Sequence, residues 1–341
     1  MRSKKTKILY FLVVLFFGGI FPQDQVQAQT DSATEQANNY SVSPSFGATQ
    51  KKETTNFYDM RLQPKQTDTF QLTITNQAKQ PQTFQITVNT ATTNRNGIVD
   101  YTKTDFPKDP SMTVAIKDLI TIDPPKVTIP AHQSHTVNFH LTMPNQPIAG
   151  ILLGGVVVRP IQEKEQGKGI QHVFMHTLAI RVDQTDQTIP TKLIGGNVTI
   201  GQDNLHNQVS MALRNPEPKL LTQLEGTFTV TKKGHSTPLT KKTRNNLSIA
   251  PNSAFTLPLA LDQTFKAGDY TYTIQLKNAN GEWKFSKDFT IKASEAKKYN
   301  NTSVDQAESS WKRWVLYGGM VFLIVMLCTL FYYLGKKKEK N

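Results

Sequence analysis

Residues Trp314 to Leu334, WVLYGGMVFLIVMLCTLFYYL, contain no charge, and a stretch so apolar cannot be left in water along its whole length. About 20 such residues in a helix cross a hydrocarbon layer of roughly 30 Å, so the segment is expected to be a transmembrane helix. Trp311 and Trp314 at its start and Tyr332 and Tyr333 at its end suit the two water interfaces, where amphipathic rings collect. Lys336, Lys337 and Lys338 follow at once, and a basic excess of this kind places its flank in the cytoplasm. A lipid-anchor signal removed on processing would end apolar instead. The second apolar segment, Ile8 to Phe21, is shorter and follows the basic start MRSKKTK. It precedes Val26-Gln27-Ala28, a small-x-small site that places cleavage between Ala28 and Gln29, the pattern of a secretory signal peptide. The chain therefore reads as a single-pass type I membrane protein with its middle outside the cell and a short cytoplasmic tail at 335–341.

The net charge of +13 over 341 residues looks like a nucleic-acid footprint until its location is considered. Four of the 39 basic residues lie in the signal and six lie beyond residue 310, with one acid in each segment. The ectodomain keeps 29 basic against 24 acidic residues, a net charge of +5. That excess favours solubility and a general attraction to anionic surfaces. No basic helix and no aromatic stripe among the lysines accompanies it, which argues against a nucleic-acid partner. The single cysteine, Cys328, falls inside the apolar segment, so the ectodomain has no disulfide and must be held by its hydrophobic cores.

Those cores are expected to be all-β. Thr69 to Thr75 and Thr83 to Val88 alternate polar and apolar residues with period two, the signature of half-buried strands. Val127 to Ile129, Thr136 to Leu141 and the wholly apolar Ile151 to Val158 continue the series. So do His176 to Val182, Asn197 to Ile200, Gln208 to Leu213, Thr227 to Thr231, Asn246 to Ile249, Phe255 to Leu261, Tyr270 to Leu276 and Phe285 to Ile291. Such spacing predicts two tandem immunoglobulin-like antiparallel β-sandwiches. The polar stretch PIQEKEQGKG at 160–169 is the natural linker, giving a first sandwich at 41–160, a linker at 161–169 and a second sandwich at 170–292. Residues 29–40 are expected to be disordered, and 293–313 to form a hydrophilic stalk.

Several segments resemble the WxL-interacting proteins of Gram-positive bacteria. In the first half these are Tyr58-Asp59-Met60-Arg61-Leu62-x-Pro64 ahead of Phe70, Ala91 to Tyr101 with Asn94-x-Asn96-Gly97, Pro144, and Gly150 to Gly155. In the second they are Ala250-Pro251-Asn252-Ser253-x-Phe255, Ala267-Gly268-Asp269-Tyr270, and Trp283 to Ile291. Met60 stands where a leucine is more usual, a volume-conserving difference. The resemblance implies a peptidoglycan-binding first domain and a host-binding second domain, with host extracellular-matrix components as the second domain's ligands. It also implies secreted WxL-domain proteins as partners, and an ectodomain facing the cell wall.

Read without the resemblance, the same residues have structural roles. Asn94, Asn96 and Gly97 form a turn signal, since Asn and Gly tolerate positive φ, with Tyr101 just beyond. Tyr270 is a candidate tyrosine corner, Pro251, Asn252 and Ser253 most simply start a strand, and Trp283 lies on another. Glycine at 150, 154 and 155 permits close approach or a bulge, at a core or at an interface. No phosphate loop, zinc signature or nucleophile elbow is present. His172 and His176 would lie about 13 Å apart along a strand, too far to share an ion. The expectation is a non-enzymatic adaptor with no catalytic residue, metal or cofactor. Sheet edges and Thr/Gln/Asn-rich faces, for instance Thr73, Thr75, Thr87 and Asn89, would meet its ligands. A passive scaffold without glycan recognition, and a hydrolase with an unrecognised site, stand as alternatives.

Overall fold

The computed structural model describes residues 39–161, 173–305 and 310–338. The signal peptide with Ala28 and Gln29, most of the expected linker, and residues 29–38 lie outside them. The first unit contains β1 (Tyr40–Ser45), β2 (Tyr58–Arg61), β3 (Thr67–Asn76), β4 (Gln82–Thr90), β5 (Thr92–Thr93) and β6 (Val99–Asp100). It continues with a 3-10 turn at Ile116–Leu119, then β7 (Ile120–Asp123), β8 (Lys126–Ile129), β9 (Ser134–Thr142), β10 (Ile151–Ile161) and β11 (His176–Asp183). One sheet has the order β1-β3-β9-β7 and faces a second of order β2-β11-β10-β4-β8. The alternation read in the sequence is what separates core from surface. Phe70, Leu72 and Ile74 of β3 and Val137, Phe139 and Leu141 of β9 are buried, with the Phe70 and Phe139 rings stacked at 5.1 Å.

Two expectations change here. The strand His176–Val182, read as opening the second sandwich, is β11, paired with β10 and β2 in the first. Its pairing with β2 is parallel, so the first sandwich is not purely antiparallel. Tyr40, placed at the end of a disordered segment, is buried at the start of β1, and its hydroxyl donates to a backbone carbonyl, that of Val158 or of Phe174, each 3.0 Å away.

The apolar part of β10, Ile151–Val158, is covered on both faces, as its composition requires. Leu152, Val156 and Val158 enter the first core, while Leu153 packs into a separate small cluster with Ala91 and Ala250. Gly154 lets the 3-10 turn approach, because a Cβ there would lie 2.5 Å from both the Asn89 carbonyl oxygen and Ile116 Cγ2.

The second unit pairs a sheet of β12 (Ile194–Asp203), β13 (His206–Asn215) and β16 (Ser253–Ala260) with a sheet of order β15-β14-β17-β18. In that sheet β14 is Leu221–Lys232, β15 Pro238–Ile249, β17 Gly268–Asn278 and β18 Gly281–Ile291. Its core includes Phe228, Tyr272, Met211 and Ile274. The Tyr270 hydroxyl donates to the Lys266 carbonyl at 2.8 Å, forming the expected corner.

The predicted stalk is folded over its first part. Helix α1 (Ala293–Asn300) buries Ala296 in the second core, and its Tyr299 packs on Phe265. Beyond it, α2 (Ser310–Lys338) is a single helix of 29 residues holding Trp311, Trp314, Tyr332, Tyr333 and Lys336 to Lys338. Among the described residues no helix is long and apolar enough to cross a membrane; in α2 the continuous run with described side chains is 317–331.

Because a methyl at residue 154 meets backbone as well as a side chain, Gly154→Ala is expected to cost about 1–3 kcal/mol. Thermal unfolding followed by near-ultraviolet circular dichroism checks it, with a fall of several degrees expected.

Candidate binding clefts at the domain joint

The motif residues of the two halves meet. Strands β5 and β6 form a hairpin that leaves the first sandwich and lies against β15 and β16 of the second. Its tip is built by Asn94, whose Oδ1 accepts from the backbone of Asn96 (2.9 Å) and Ile98 (3.2 Å). Gly97 sits at φ +76°, and a Cβ there would lie 3.1 Å from Leu247, so backbone conformation and space both select glycine. The Gly97 carbonyl accepts from Ser248 N at 2.8 Å, and Ser248 Oγ accepts from Val99 N at 3.0 Å.

Deeper in the joint, Thr93 Oγ1 accepts from the buried Ala250 N at 3.0 Å and lies 3.1 Å from Ser253 Oγ. Ser253 Oγ donates to the Ala250 carbonyl at 2.8 Å. Each hydroxyl has one proton, so Thr93 must donate to Ser253. Asn252 Nδ2 reaches Ser111 Oγ at 3.1 Å and the Pro216 carbonyl at 3.0 Å, and Pro251 is buried beside it. Tyr101 covers Gly155 and accepts at its carbonyl from Asn89 Nδ2 at 2.8 Å; burial raises the pKa of its hydroxyl. Trp283, the remaining motif residue, is half-buried against the second core. Gly97 and Tyr101 thus share one interface with Pro251, Asn252 and Ser253, internal to the chain, while Asn94 shapes the turn that presents Gly97 and Asn96 is exposed at its tip.

An ion pair reinforces it. Arg214 of β13 holds Asp109 of the first domain through two bonds, Nε to Oδ2 at 2.6 Å and Nη2 to Oδ1 at 2.8 Å. The Arg214 bond holds the Asp109 carboxyl down at about 2, against its burial and with help from Ser111.

Two clefts flank the joint, and Pro218 lines both. At Gly150, φ +64°, a Cβ would fall 2.3 Å from the Pro218 carbonyl oxygen, which accepts from Ile151 N at 2.9 Å. One cleft, of about 410 Å³, is lined by Asn145, Gln146, Ser111 and Asn252 among others. The other, of about 450 Å³, has Arg181, Asp183, Asp186, Thr185, Gln187 and Lys219 in its wall.

The second cleft is bounded by a charge network that sequence reading missed. Residues Asp59 and Arg61 of β2 and Arg181 and Asp183 of β11 alternate with core residues, so all four reach the outer face. Lys51 Nζ bridges Asp59 (3.1 Å) and Asp183. Arg61 binds Asp183 (2.9 Å) and Asp186 (Nη1 to Oδ2, 2.8 Å). The hydrogen bond from Arg61 lowers the pKa of Asp186, and the same pairing raises that of Arg61. Arg181 stands farther off, 3.8 Å from Asp59 and 3.6 Å from Asp183, and its Nε has no hydrogen-bond partner among the described residues. Three cations balance three anions, and Arg181, the least tightly paired of the cations, lines the cleft. The cleft can therefore accept carboxylates, carbonyls and amides.

Thr73 and Thr75 lie on the outer face of β3, but each hydroxyl already bonds across to β9, at Thr136 (3.0 Å) and Ser134 (2.9 Å). Thr87 belongs to the opposite sheet and Asn89 is buried, so these four do not form one surface. Among the described residues no group of three or more His, Cys, Asp or Glu is placed to hold a metal, and His172 lies outside them.

The structure is that of two β-sandwiches joined by an internal interface, with clefts beside it. Residues 40–160 match the peptidoglycan binding domain of the WxL Interacting Proteins, and residues 165–301 match their host binding domain. The chain belongs to the WxL-interacting protein family. The matches are to binding domains and not to enzymes. Among solved structures it is similar to the Escherichia coli chaperone DraB, at 16% identity over 74% of this chain and 98% of that chain, TM-score 0.30. It is also similar to a chain of the CsuC–CsuE chaperone–tip adhesion subunit complex of Acinetobacter baumannii, at 11% identity over 73% and 97%, TM-score 0.33. No curated protein matches the sequence.

Replacing Thr93 by Val keeps the shape but leaves the buried Ala250 N–H without an acceptor, which should cost about 1–3 kcal/mol. The same change at exposed Thr73 should stay within about 0.5 kcal/mol, and chemical denaturation of both variants checks the contrast. The Asp109 contribution to the joint is complete above its ordinary value near 3.8 and is lost as pH falls through about 2, since the folded state binds the proton less readily. Small-angle scattering in acid should show the two domains separating over that window, and Arg214→Ala should show it already at neutral pH.

Proposed function

We propose that the protein is a membrane-anchored adaptor of the Gram-positive cell surface. Its first domain binds peptidoglycan, its second binds host extracellular-matrix components or partner proteins, and it works in complex with secreted WxL-domain proteins. The observation that carries this reading is the fusion of a peptidoglycan binding domain and a host binding domain through a hydrogen-bonded joint, which makes the position of one ligand constrain the other. The anchor is supported by α2, where apolar side chains from Val321 to Leu327 are 43–61% exposed apart from Phe322 at 72%. A helical stretch that is apolar and exposed on all sides from 321 to 327 suits lipid.

For peptidoglycan the cleft beside Arg181 and Lys219 is the site. Stem peptides offer carboxylates and carbonyls to those two cations, and the Thr185, Thr188 and Thr222 hydroxyls suit glycan hydroxyls and amides.

Sedimentation of the purified chain with washed cell walls at physiological salt tests the reading. The wild type should pellet, and Arg181→Ala and Lys219→Ala should each weaken binding about tenfold, the equivalent of one charge-assisted bond. A wild-type chain that stays in the supernatant returns the protein to the scaffold reading. Repeated failure to co-purify secreted WxL proteins from the same cells would remove them as partners.

A further inference from the structure

The strand register shows which end of the second domain its chain leaves from. Strand β13 runs to Asn215, whose side chain donates to the Ala250 carbonyl at the joint (2.9 Å), so His206 at its start lies at the opposite end. There the last described residue before the α2 segment, Asp305, is held by His206 Nδ1 (2.7 Å) and Asn207 N (2.8 Å), and Val304 N donates to the Leu205 carbonyl at 3.2 Å. Four residues, 306–309, separate Asp305 from the start of α2. Fully extended they reach at most about 18 Å, and the headgroup layer beneath is roughly 5–8 Å deep on each side. If α2 spans the bilayer, this end of the domain has little room to stand away from it.

The same end carries side chains that water does not favour. Asn204 and Leu205 close the β12–β13 hairpin with φ +47° and +66°, the corner positions where glycine is the unstrained choice at the second residue. Instead the chain keeps a leucine there, 50% exposed, with Val304 beside it 57% exposed. A strained backbone that displays an apolar side chain points to a contact made outside the domain. Around it Lys266, Lys297 and Lys298 are exposed and form no ion pair among the described residues. The nearby acids are engaged: Asp203 by Arg95 of the first domain (3.8 Å), Asp305 by His206, Asp262 by Lys242 (2.6 Å), and Glu295 by the Lys292 N–H (3.0 Å).

We propose that this end of the second domain docks on the outer surface of the protein's own membrane. Leu205 and Val304 enter the headgroup region, and Lys266, Lys297 and Lys298 face anionic lipid headgroups. The docking rests on the anchor reading above. It adds that the second domain does not swing freely on a stalk but is seated on the bilayer.

The full chain, with Cys328→Ser, would be reconstituted in vesicles of mixed phosphatidylcholine and phosphatidylglycerol and spin-labelled through Leu205→Cys. A second preparation would carry the label through Lys79→Cys, on an exposed turn of the first domain. The expected result is that the label at 205 collides with lipid-dissolved oxygen at least several times more readily, relative to an aqueous nickel chelate, than the label at 79. The difference should shrink in pure phosphatidylcholine and on Lys297→Glu with Lys298→Glu. Equal accessibility of the two labels, in a chain that stays with the vesicles through an alkaline wash, overturns the docking and leaves the anchor standing. A chain that washes off overturns both.

Discussion

The contact on which the rest of the arrangement depends is the Thr93 hydroxyl accepting from Ala250 N. The apolar part of the joint is small, with Ala91, Leu153 and Ala250 at its centre and Val99, Tyr101 and Leu220 around them. That cluster alone would orient two sandwiches weakly, because a hydrophobic contact is non-directional. The hydrogen bonds through Thr93, Gly97, Ser248 and Ser253 supply the direction, and those of Thr93 and Ser253 are buried, where leaving one unmade is costly. A hairpin of one domain is in this way built into the surface of the other.

The joint also accounts for where the clefts lie. Gly150 brings β10 against the Pro218 carbonyl at a distance no side chain would permit, and the two clefts are what remains on either side. The first sandwich reaches them through β11, which closes its second sheet beyond the point where the two family matches divide, at 160 and 165. A cut at 165 would separate β10 from its neighbour β11 and so remove a strand from the second sheet of the first sandwich. The smallest intact first domain runs through Asp183.

Much of the fold was legible from period two alone. Thr69 to Thr75 and Tyr270 to Leu276 alternate so regularly that only one face of each can be buried, and both strands stand where the alternation puts them. Short or irregular elements were not legible. Strand β2 is four residues long and buried except at Arg61, so its alternation is too short to mark a strand, and its parallel partner is more than a hundred residues away. The Lys51, Asp59, Arg61, Arg181, Asp183 and Asp186 network was invisible for the same reason: no local spacing links residues that only strand pairing brings together. A signal did exist, in the polar residues alternating within both Tyr58–Arg61 and Ile180–Asp183.

By itself the sequence determined the class of structure, two β-sandwiches without disulfides, because periodicity and hydrophobicity are local properties of the chain. It also determined which turns could form, at Asn94 to Gly97 and at Tyr270, since positive φ and a hydroxyl within reach of the preceding loop are matters of a few residues. Only the tertiary structure decided what those turns are for. Asn94, Gly97, Asn252 and Ser253 look like two separate surface motifs until the chain folds, and then they are the two sides of one interface. Long-range pairing likewise chose the owner of β11, because a strand goes to the sheet whose neighbouring strands it can pair with, here β10 and β2, and not to the side of a polar linker on which it happens to fall.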